Sequence, residues 1–248
     1  MPRTLATNRS IASGRITAVN RVVRGAAPPD PLTVNLISHW FLEETGLADR
    51  IDTHDGHDLG PINSPGNAAG IFGNAVELLT ASDQSLTSLA NSIDFDPENG
   101  SYSMSGWARF YQDVTVGDDD ERTVLSGAGA TVAWTGVGGN IAFAPLEGAA
   151  LTISAPDLDT WYFFTCGYNV VTGTNFLSVN GSARVTSPGL PESTGGPTGF
   201  TVGAPEGGGT ANLMDGRVDS VSFWKGRALT PSEDLQLYNG GAGLDYPF

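Results

Sequence analysis

The chain of 248 residues is 40% hydrophobic and 16% charged, which fits one folded domain with a terminal arm and excludes wholesale disorder. Its 33 glycines and 15 prolines argue against a helical bundle and favour short strands joined by tight turns. No apolar run approaches the roughly 18 residues of a membrane-spanning helix, and the single cysteine, Cys166, excludes internal disulfides and cysteine-based zinc sites.

The formal net charge of −15 disfavours nucleic acid and anionic membranes as partners of the main body. Residues 1–35 carry five arginines and one acid, a net of +4, so the remaining chain carries −19. The five basic residues are Arg3, Arg9, Arg15, Arg21 and Arg24. A basic segment on an acidic body indicates an interaction tail, and these arginines are predicted to anchor the chain to a partner.

Residues 1–33 are predicted to form an extended arm and a stiff linker. Apolar and polar residues alternate between Ile11 and Val23, a pattern that can add as a strand to a partner's sheet. Residues 26–33 hold three prolines, which favour extended geometry, and the folded domain is expected at 34–248. The alternative is a loose, solvated terminus. The arm lacks the apolar region of a secretory signal.

Strand-like segments then follow at short intervals. They are residues 34–42, 75–79, 101–110, 122–126, 131–135, 140–144, 150–154, 161–168, 175–179, 182–185, 199–202 and 216–224. The segment 101–110 alternates with period two, so Tyr102, Met104 and Phe110 should face one side and Ser103 and Trp107 the other.

One turn and one helix have clear signals. Asn180-Gly181 supplies the two positive-φ residues of a hairpin turn. The run Thr230-Pro231-Ser232-Glu233 is a capping box that opens a helix, and Gly240-Gly241 ends it. More than ten short strands, one short C-terminal helix and no βαβ rhythm predict an all-β, two-sheet antiparallel jelly-roll sandwich with an extended N-terminal arm.

Five blocks of the sequence resemble the laminin-G-like, concanavalin A-like jelly-roll domains of bacteriophage and environmental bacterial proteins. The blocks are residues 39–46 (HWFLEETG), 50–59 (RIDTHDGHDL), 70–78 (GIFGNAVEL), 216–224 (GRVDSVSFW) and 227–241, which ends in Leu-Tyr-Asn-Gly-Gly. The resemblance covers about residues 34–248. It implies a sandwich that binds glycans or proteins, with a structural calcium ion near Glu44 and Asp219, and it does not imply catalysis.

The residues themselves also argue against an enzyme. Hydrolases of the concanavalin type carry a Glu-x-Asp-x-x-Glu run, which is absent, and Asp215 and Asp219 share a strand face without a glutamate. The sequence has no Gly-x-Ser-x-Gly elbow, and Cys166 lies in an apolar strand where an inert thiol is expected. The protein is therefore predicted to be non-catalytic, with a glycosidase as the third functional class to test.

Two further segments are rich in metal-ligand types. His54, His57 and a neighbouring carboxylate suit a transition metal, but a polar surface turn is the favoured interpretation. The run 118–121 (DDDE) is predicted to be a solvated hairpin tip. Calcium, which takes hard oxygen ligands, is the better candidate and the only cofactor predicted. Ser220 stands where relatives often carry a second acid.

Glycan binding would use aromatic rings and amides on loops at one sandwich edge. The candidates are Tyr111, Trp134, Asn140 and Asn212. Together, the arm and the body predict a virion structural protein of the capsid, tail or fibre that contacts other virion proteins in an oligomer or larger assembly. The alternative is a carbohydrate-binding module or adhesin for host or environmental glycans, located outside the cell or at its surface.

Overall fold

In a computed structural model of the protein, residues 31–112, 121–135, 139–155, 157–206 and 209–248 are described. The five arginines of the predicted arm and Asp118, Asp119 and Asp120 of the predicted hairpin tip lie outside these ranges. Within the described ranges, no helix has the length and apolar character needed to cross a membrane.

The described residues form fifteen strands in two antiparallel sheets, which confirms the predicted sandwich. The strands are β1 Leu36–Trp40, β2 Leu59–Ile62, β3 Gly66–Ala69, β4 Asn74–Leu78, β5 Ser85–Ser88, β6 Tyr102–Phe110, β7 Arg122–Gly127, β8 Ala130–Thr135, β9 Asn140–Ala144, β10 Leu151–Ser154, β11 Trp161–Asn169, β12 Thr174–Val179, β13 Val185–Pro188, β14 Phe200–Val202 and β15 Gly216–Lys225. The eight-stranded sheet runs β13-β12-β11-β6-β15-β4-β3, with β1 also paired to β15. The seven-stranded sheet runs β10-β9-β8-β7-β14-β5-β2.

The main core fills the space between the two sheets. As the period-two pattern predicts, Tyr102, Met104 and Phe110 of β6 point into it. Its aromatic rings contact one another, with Phe110 4.4 Å from Trp134 and Trp40 5.0 Å from Phe200 between ring centroids. Such edge and offset contacts add to the burial of apolar area that stabilises the sandwich.

A second apolar cluster covers the outer face of the eight-stranded sheet. Trp107, Phe163 and Trp224 project from the sheet onto this face, and the C-terminal segment packs over them. Leu32 is fully buried in the same cluster, and Trp224 Nε1 donates a hydrogen bond to the Leu32 carbonyl at 2.7 Å. The packed domain therefore includes Leu32, two residues before the predicted start at residue 34.

The predicted turn and helix are both present. Asn180 and Gly181 have φ values of 52° and 64°, and Ser182 N donates to the Val179 carbonyl across the turn. The helix α1 spans Pro231–Tyr238, and Thr230 and Glu233 form the reciprocal capping box. Short 3₁₀ turns lie at Pro31–Thr33, Thr80–Ser82, Ile93–Phe95 and Asn239–Gly241.

The outer face of the seven-stranded sheet carries small, uncharged side chains in register. One row crosses six neighbouring strands and consists of Gly60, Thr87, Thr201, Ser126, Thr131 and Ala144. Ser126 and Thr201 of this row are buried, whereas Thr87 and Thr131 are half-buried and keep part of their uncharged surface accessible.

Candidate functional site

A groove of about 370 Å³ lies at the β2–β5 end of this uncharged face. Its lining residues are Ile62, Asn63, Asp83, Ser85, Thr87, Gly209 and Thr210. Ser85 and Ile62 are directly paired across β5 and β2, so the strands supply the floor. Two turns and a loop, at residues 63, 83 and 209–210, form the walls.

The two turns are held together by one buried side chain. Gln84 Nε2 donates to the carbonyls of Asn63 and Ser64 at 3.2 and 2.8 Å, and Gln84 Oε1 accepts from Leu79 N at 3.0 Å. Asn63 Nδ2 donates to the Asp83 carbonyl at 3.0 Å. The wall of the groove is therefore a cross-linked structure and not two independent loops.

Three non-glycine residues of these turns adopt left-handed backbone. The φ values are 56° at Asn63, 53° at Ser64 and 50° at Asp83. This conformation costs about 1–2 kcal/mol for an ordinary L-residue, although Asn and Asp adopt it more readily. Backbone of this kind persists where the surroundings fix it, and it is concentrated at functional sites.

The third wall comes from the segment after β14, which is pinned to the sheet. Gly203 N donates to the Val124 carbonyl, and Thr123 N donates to the Asn212 carbonyl, both at 2.9 Å. Glu206 N donates to Ser126 Oγ on the outer face at 3.0 Å. These bonds bring Gly209 and Thr210 over strands that lie more than a hundred residues earlier in the sequence.

The chemistry of the groove suits a polyhydroxylated ligand. Its polar groups are hydroxyls, one amide and the Asp83 carboxylate, and Ile62 adds an exposed apolar side chain. Ligand sites of about 300–1,000 Å³ combine apolar surface with a few polar groups that fix orientation. Among the described lining residues, the groove holds one carboxylate and no basic side chain.

The predicted glycan-binding residues do not form one site. Trp134 is fully buried in the main core against Phe110, so its position removes it from the ligand-binding candidates. Tyr111 lies just after β6 and donates to Glu77 Oε1 at 2.5 Å, and burial is the main reason that its pKa rises to about 12. Asn140 begins β9, where its Nδ2 is 3.5 Å from the Thr135 carbonyl. Asn212 holds the loop beside β7 through its backbone carbonyl.

Asp219 is placed by a β-bulge in β15. The register shifts between Asp219 and Ser222, and Ser220 has a φ of 48°. The buried Asp219 carboxylate turns toward the loop 70–73, where Oδ2 accepts from Ile71 N at 2.6 Å and Phe72 N at 3.1 Å. Its Oδ1 is buried without a hydrogen-bond partner.

Glu43 approaches the same loop. A Cβ added at Gly70 would collide with Asp219 Oδ2, and one added at Gly73 would lie 2.7 Å from Glu43 Oε1. Burial raises the pKa of Asp219 to about 7, and Glu43 adds to that rise, whereas the two backbone N–H groups oppose it. Glu43, rather than the predicted Glu44, is therefore the glutamate that acts on Asp219.

The predicted Glu44 serves another loop. Its Oε1 accepts from Ile51 N at 3.0 Å, and its charge acts on the buried Arg50. The pKa of Arg50 is lowered because burial outweighs the opposing effects of Glu44 and Asp49.

The loop around 70–73 has features that fit a cation. Asp219 Oδ1 is an orphaned buried acceptor, and the glycines of the loop leave room for two carboxylates. No group of three or more His, Cys, Asp or Glu side chains converges anywhere in the described ranges. A calcium ion here would therefore combine Asp219 and Glu43 with backbone carbonyls or water, which are ligands that calcium commonly takes.

The histidine-rich segment around residue 54 is organised by a buried carboxylate. The backbone N–H groups of His39, His54 and His57 all donate to Asp52 at 2.9–3.0 Å. Burial raises the pKa of Asp52, but these bonds outweigh it and lower the pKa overall. His54 bonds Tyr246 through Nδ1, and His57 bonds Ser38 and Asp94 through its two ring nitrogens. His39 bonds Ser222 Oγ through Nδ1 at 2.8 Å, so the three side chains have different partners.

No protein-family model and no curated protein matches the sequence. Solved structures do share the fold. Domain 4 of AbnA, a GH43 extracellular arabinanase from Geobacillus stearothermophilus solved in complex with arabinotriose, superposes with a TM-score of 0.57 at 16% identity. The superposition covers 85% of this chain and 98% of that domain.

Two larger proteins contain a similar sandwich. The binding domain of Paraclostridial Mosquitocidal Protein 1 gives a TM-score of 0.63 at 15% identity over 85% of this chain and 53% of that one. The Trypanosoma rangeli sialidase gives 0.56 at 14% identity over 86% of this chain and 34% of that one. At these identities the similarity shows the fold, a lectin-like jelly-roll sandwich.

Proposed function

We propose that the chain is a non-catalytic glycan-binding domain that holds a neutral saccharide in the groove formed by β2, β5 and residues 209–210. The observation that carries this proposal is the groove itself, a cavity of about 370 Å³ with hydroxyl, amide and carboxylate groups on an otherwise uncharged sheet face. The arabinotriose complex of the AbnA domain supports the proposal, because it is a sugar complex of the same fold.

The test is a titration of the full chain with arabinotriose and a neutral glycan array, comparing wild type with Thr87→Arg. Thr87 lines the groove floor, so an arginine there should fill it and lower affinity at least tenfold. Thr152→Arg is the matched control, because Thr152 is exposed on β10 at the opposite end of the same sheet. Absence of neutral glycan binding, or equal binding by Thr87→Arg, contradicts the proposal.

We further propose that this domain is a structural component of a virion, anchored by the basic segment 1–33. The supporting observation is the charge asymmetry, +4 in residues 1–35 against −19 in the remainder. Such a segment would contact an acidic surface of a neighbouring virion protein.

The anchoring proposal is tested in the full chain with Arg9, Arg15 and Arg21 all changed to Glu. The expected result is loss of the protein from particles purified from producing cells, while glycan binding is retained. Unchanged occupancy of the particles overturns the anchoring role. Because glycan binding is measured separately, failure of this proposal is distinguishable from failure of the groove.

We also propose that Asp219 and Glu43 hold a structural calcium ion against the loop 70–73. The ion would supply positive charge to two carboxylates, one of which is buried with an unpartnered oxygen. Bound calcium would thus fix the loop to the outer face of the eight-stranded sheet.

A further inference from the structure

A register row on the outer face of the eight-stranded sheet places two arginines side by side. Trp161 of β11 pairs with Arg109 of β6, Arg109 pairs with Arg217 of β15, and Arg217 pairs with Glu77 of β4. Neighbouring strands lie about 4.8 Å apart, so the row spans roughly 14 Å. It is the opposite face of the sandwich from the groove.

Like charges directly opposite one another in a sheet destabilise it unless anions compensate them. Arg217 is compensated by Glu77, whose Oε1 accepts from Nε and Nη2 at 3.3 and 3.2 Å. Glu77 is half-buried and also accepts from Tyr111, so this pair is well fixed.

The positive charge of Arg109 is compensated less well than that of Arg217. Its one ion pair joins Nη2 to Asp159 Oδ1 at 3.2 Å, and the Asp159 side chain is 66% exposed. The Arg109 Nε is buried without a hydrogen-bond partner. Exposed ion pairs contribute little to stability, so an incoming carboxylate can take the place of Asp159 and bind the guanidinium through two parallel bonds.

Aromatic side chains flank the arginines. Trp161 lies beside Arg109 in the row, and the Tyr111 ring centroid lies 5.5 Å from the Arg217 guanidinium carbon. Both rings are half-buried, so each keeps accessible surface. Aromatic faces pack against the apolar faces of sugar rings, while guanidinium groups select planar anions.

We propose that Arg109 and Arg217, between Trp161 and Tyr111, form a second binding site that takes the carboxylate of an acidic saccharide. The adjacent guanidinium groups of Arg109 and Arg217 supply the local positive charge that an anionic ligand needs, and they act against the repulsion from the net charge of −15 of the chain. The site is separate from the neutral groove and uses different chemistry.

The experiment titrates the full chain with trigalacturonic acid and with its methyl ester, in which each carboxylate is replaced by an uncharged methyl carboxylate group on the same sugar rings. The acid should bind at least tenfold more tightly than the ester, and its affinity should fall with added salt, since the contact is between exposed charges. Arg109→Gln should weaken binding of the acid at least tenfold and leave the ester unaffected.

A second variant, Asp159→Asn, tests the site even if Arg109→Gln does not fold. It removes only the exposed carboxylate that competes with the ligand for Arg109. It should strengthen binding of the acid about two- to fivefold, the range expected from an exposed ion pair. Thr87→Arg, which blocks the groove, should leave binding of the acid unchanged.

The proposal is overturned if the acid and the ester bind equally or if the acid does not bind. It is also overturned if Asp159→Asn has no effect, or if Thr87→Arg abolishes binding of the acid, because the ligand would then lie in the groove. Binding of neutral glycans is measured separately, so either proposed site can be contradicted without affecting the other.

Discussion

At the scale of single residues, Asp219 shows how one position in a strand acquires a buried carboxylate oxygen without a partner. The bulge at Ser220 turns the carboxylate toward Ile71 and Phe72, whose N–H groups satisfy one oxygen and leave the other without a partner. A buried acceptor without a partner costs about 1–3 kcal/mol. A cation at that oxygen would remove this cost.

We expect millimolar calcium to raise the melting temperature of the wild type and a chelator to reverse the change. At a hundred times its dissociation constant, a bound ion adds about 2.7 kcal/mol of stability. Asp219→Asn and Glu43→Gln should each abolish the calcium response. Glu44→Gln is the matched control and should retain it, so loss of the response in this variant would contradict the assignment to Glu43.

The choice between Glu43 and Glu44 was not predictable from alternation along the strand. Leu42 is buried with a φ of 66°, a backbone region that a β-strand does not use. The chain therefore changes direction after Trp40. Beyond that residue, the alternation of side chains between the two faces of a sheet no longer predicts where a side chain points. The resemblance pointed to Glu44, whereas in the structure the adjacent Glu43 is the glutamate that acts on Asp219.

At the scale of elements, the short helix α1 packs Leu237 and Tyr238 on the outer face of the eight-stranded sheet, and an ion pair also joins it to the loop after β12. Arg184 donates to Asp234 through Nε and Nη2 at 2.6 and 2.8 Å, and its guanidinium carbon lies 3.8 Å from the centre of the Phe176 ring. Asp234 is 1% exposed. The capping box at Thr230 stabilises the helix itself.

Asp234→Ala should therefore destabilise the fold more than Thr230→Ala. Loss of the aspartate leaves the half-buried Arg184 without its ion-pair partner, which costs up to the roughly 3–5 kcal/mol of a fully buried pair. Loss of an N-cap side chain costs about 1 kcal/mol. Urea unfolding followed by circular dichroism measures both, and equal destabilisation by the two substitutions would show that the ion pair does not fasten the helix.

Most strands were predictable from their sequences, and the missed ones have a common cause. β2 is Leu-Gly-Pro-Ile, β3 is Gly-Asn-Ala-Ala and β5 is Ser-Leu-Thr-Ser. Gly, Pro, Asn and Ala in β2 and β3 have low strand propensity, and the four residues of β5 include a single apolar side chain, too few for a period-two pattern. The pairing of all three segments depends on neighbours elsewhere in the chain. The strand predicted at 182–185 was displaced, because β13 begins at Val185 although the turn at Asn180 was correct.

At the scale of the whole molecule, stability should depend on pH through a buried histidine. The pKa of His39 is lowered to about 3, mainly by burial; Asp52 opposes the change and His54 adds to it. His39 is also covered by Tyr246 and Phe248, with ring centroids 4.8 and 5.5 Å away. The folded protein thus keeps this ring neutral where the unfolded chain would protonate it.

Because the unfolded state binds the extra proton, stability is lost as pH falls from about 6.5 toward 3. The slope from this one group is roughly 1.4 kcal/mol per pH unit. The difference in unfolding free energy between wild type and His39→Gln should therefore shrink by about 2.5 kcal/mol between pH 6 and pH 4. A difference independent of pH over this range would rule out His39 as the titrating group.

The groove was the least predictable feature, because it exists only in the folded molecule. Its walls come from Asn63, Asp83 and Thr210, which no local pattern connects. Their positions depend on Gln84 and on the loop pinned beside β7, and neither is a recognisable motif. The sheet that forms the floor could be predicted, whereas the meeting of distant turns above it could not.

The unequal burial of the five tryptophans gives the protein an intrinsic optical reporter. Trp40, Trp107, Trp134 and Trp224 are at most 2% exposed, whereas Trp161 is only half-buried. Acrylamide should therefore quench a minor, longer-wavelength part of the emission that originates beside Arg109. A carboxylated sugar bound beside Arg109 would shield this emission from acrylamide. Fluorescence quenching could therefore measure binding without an added label.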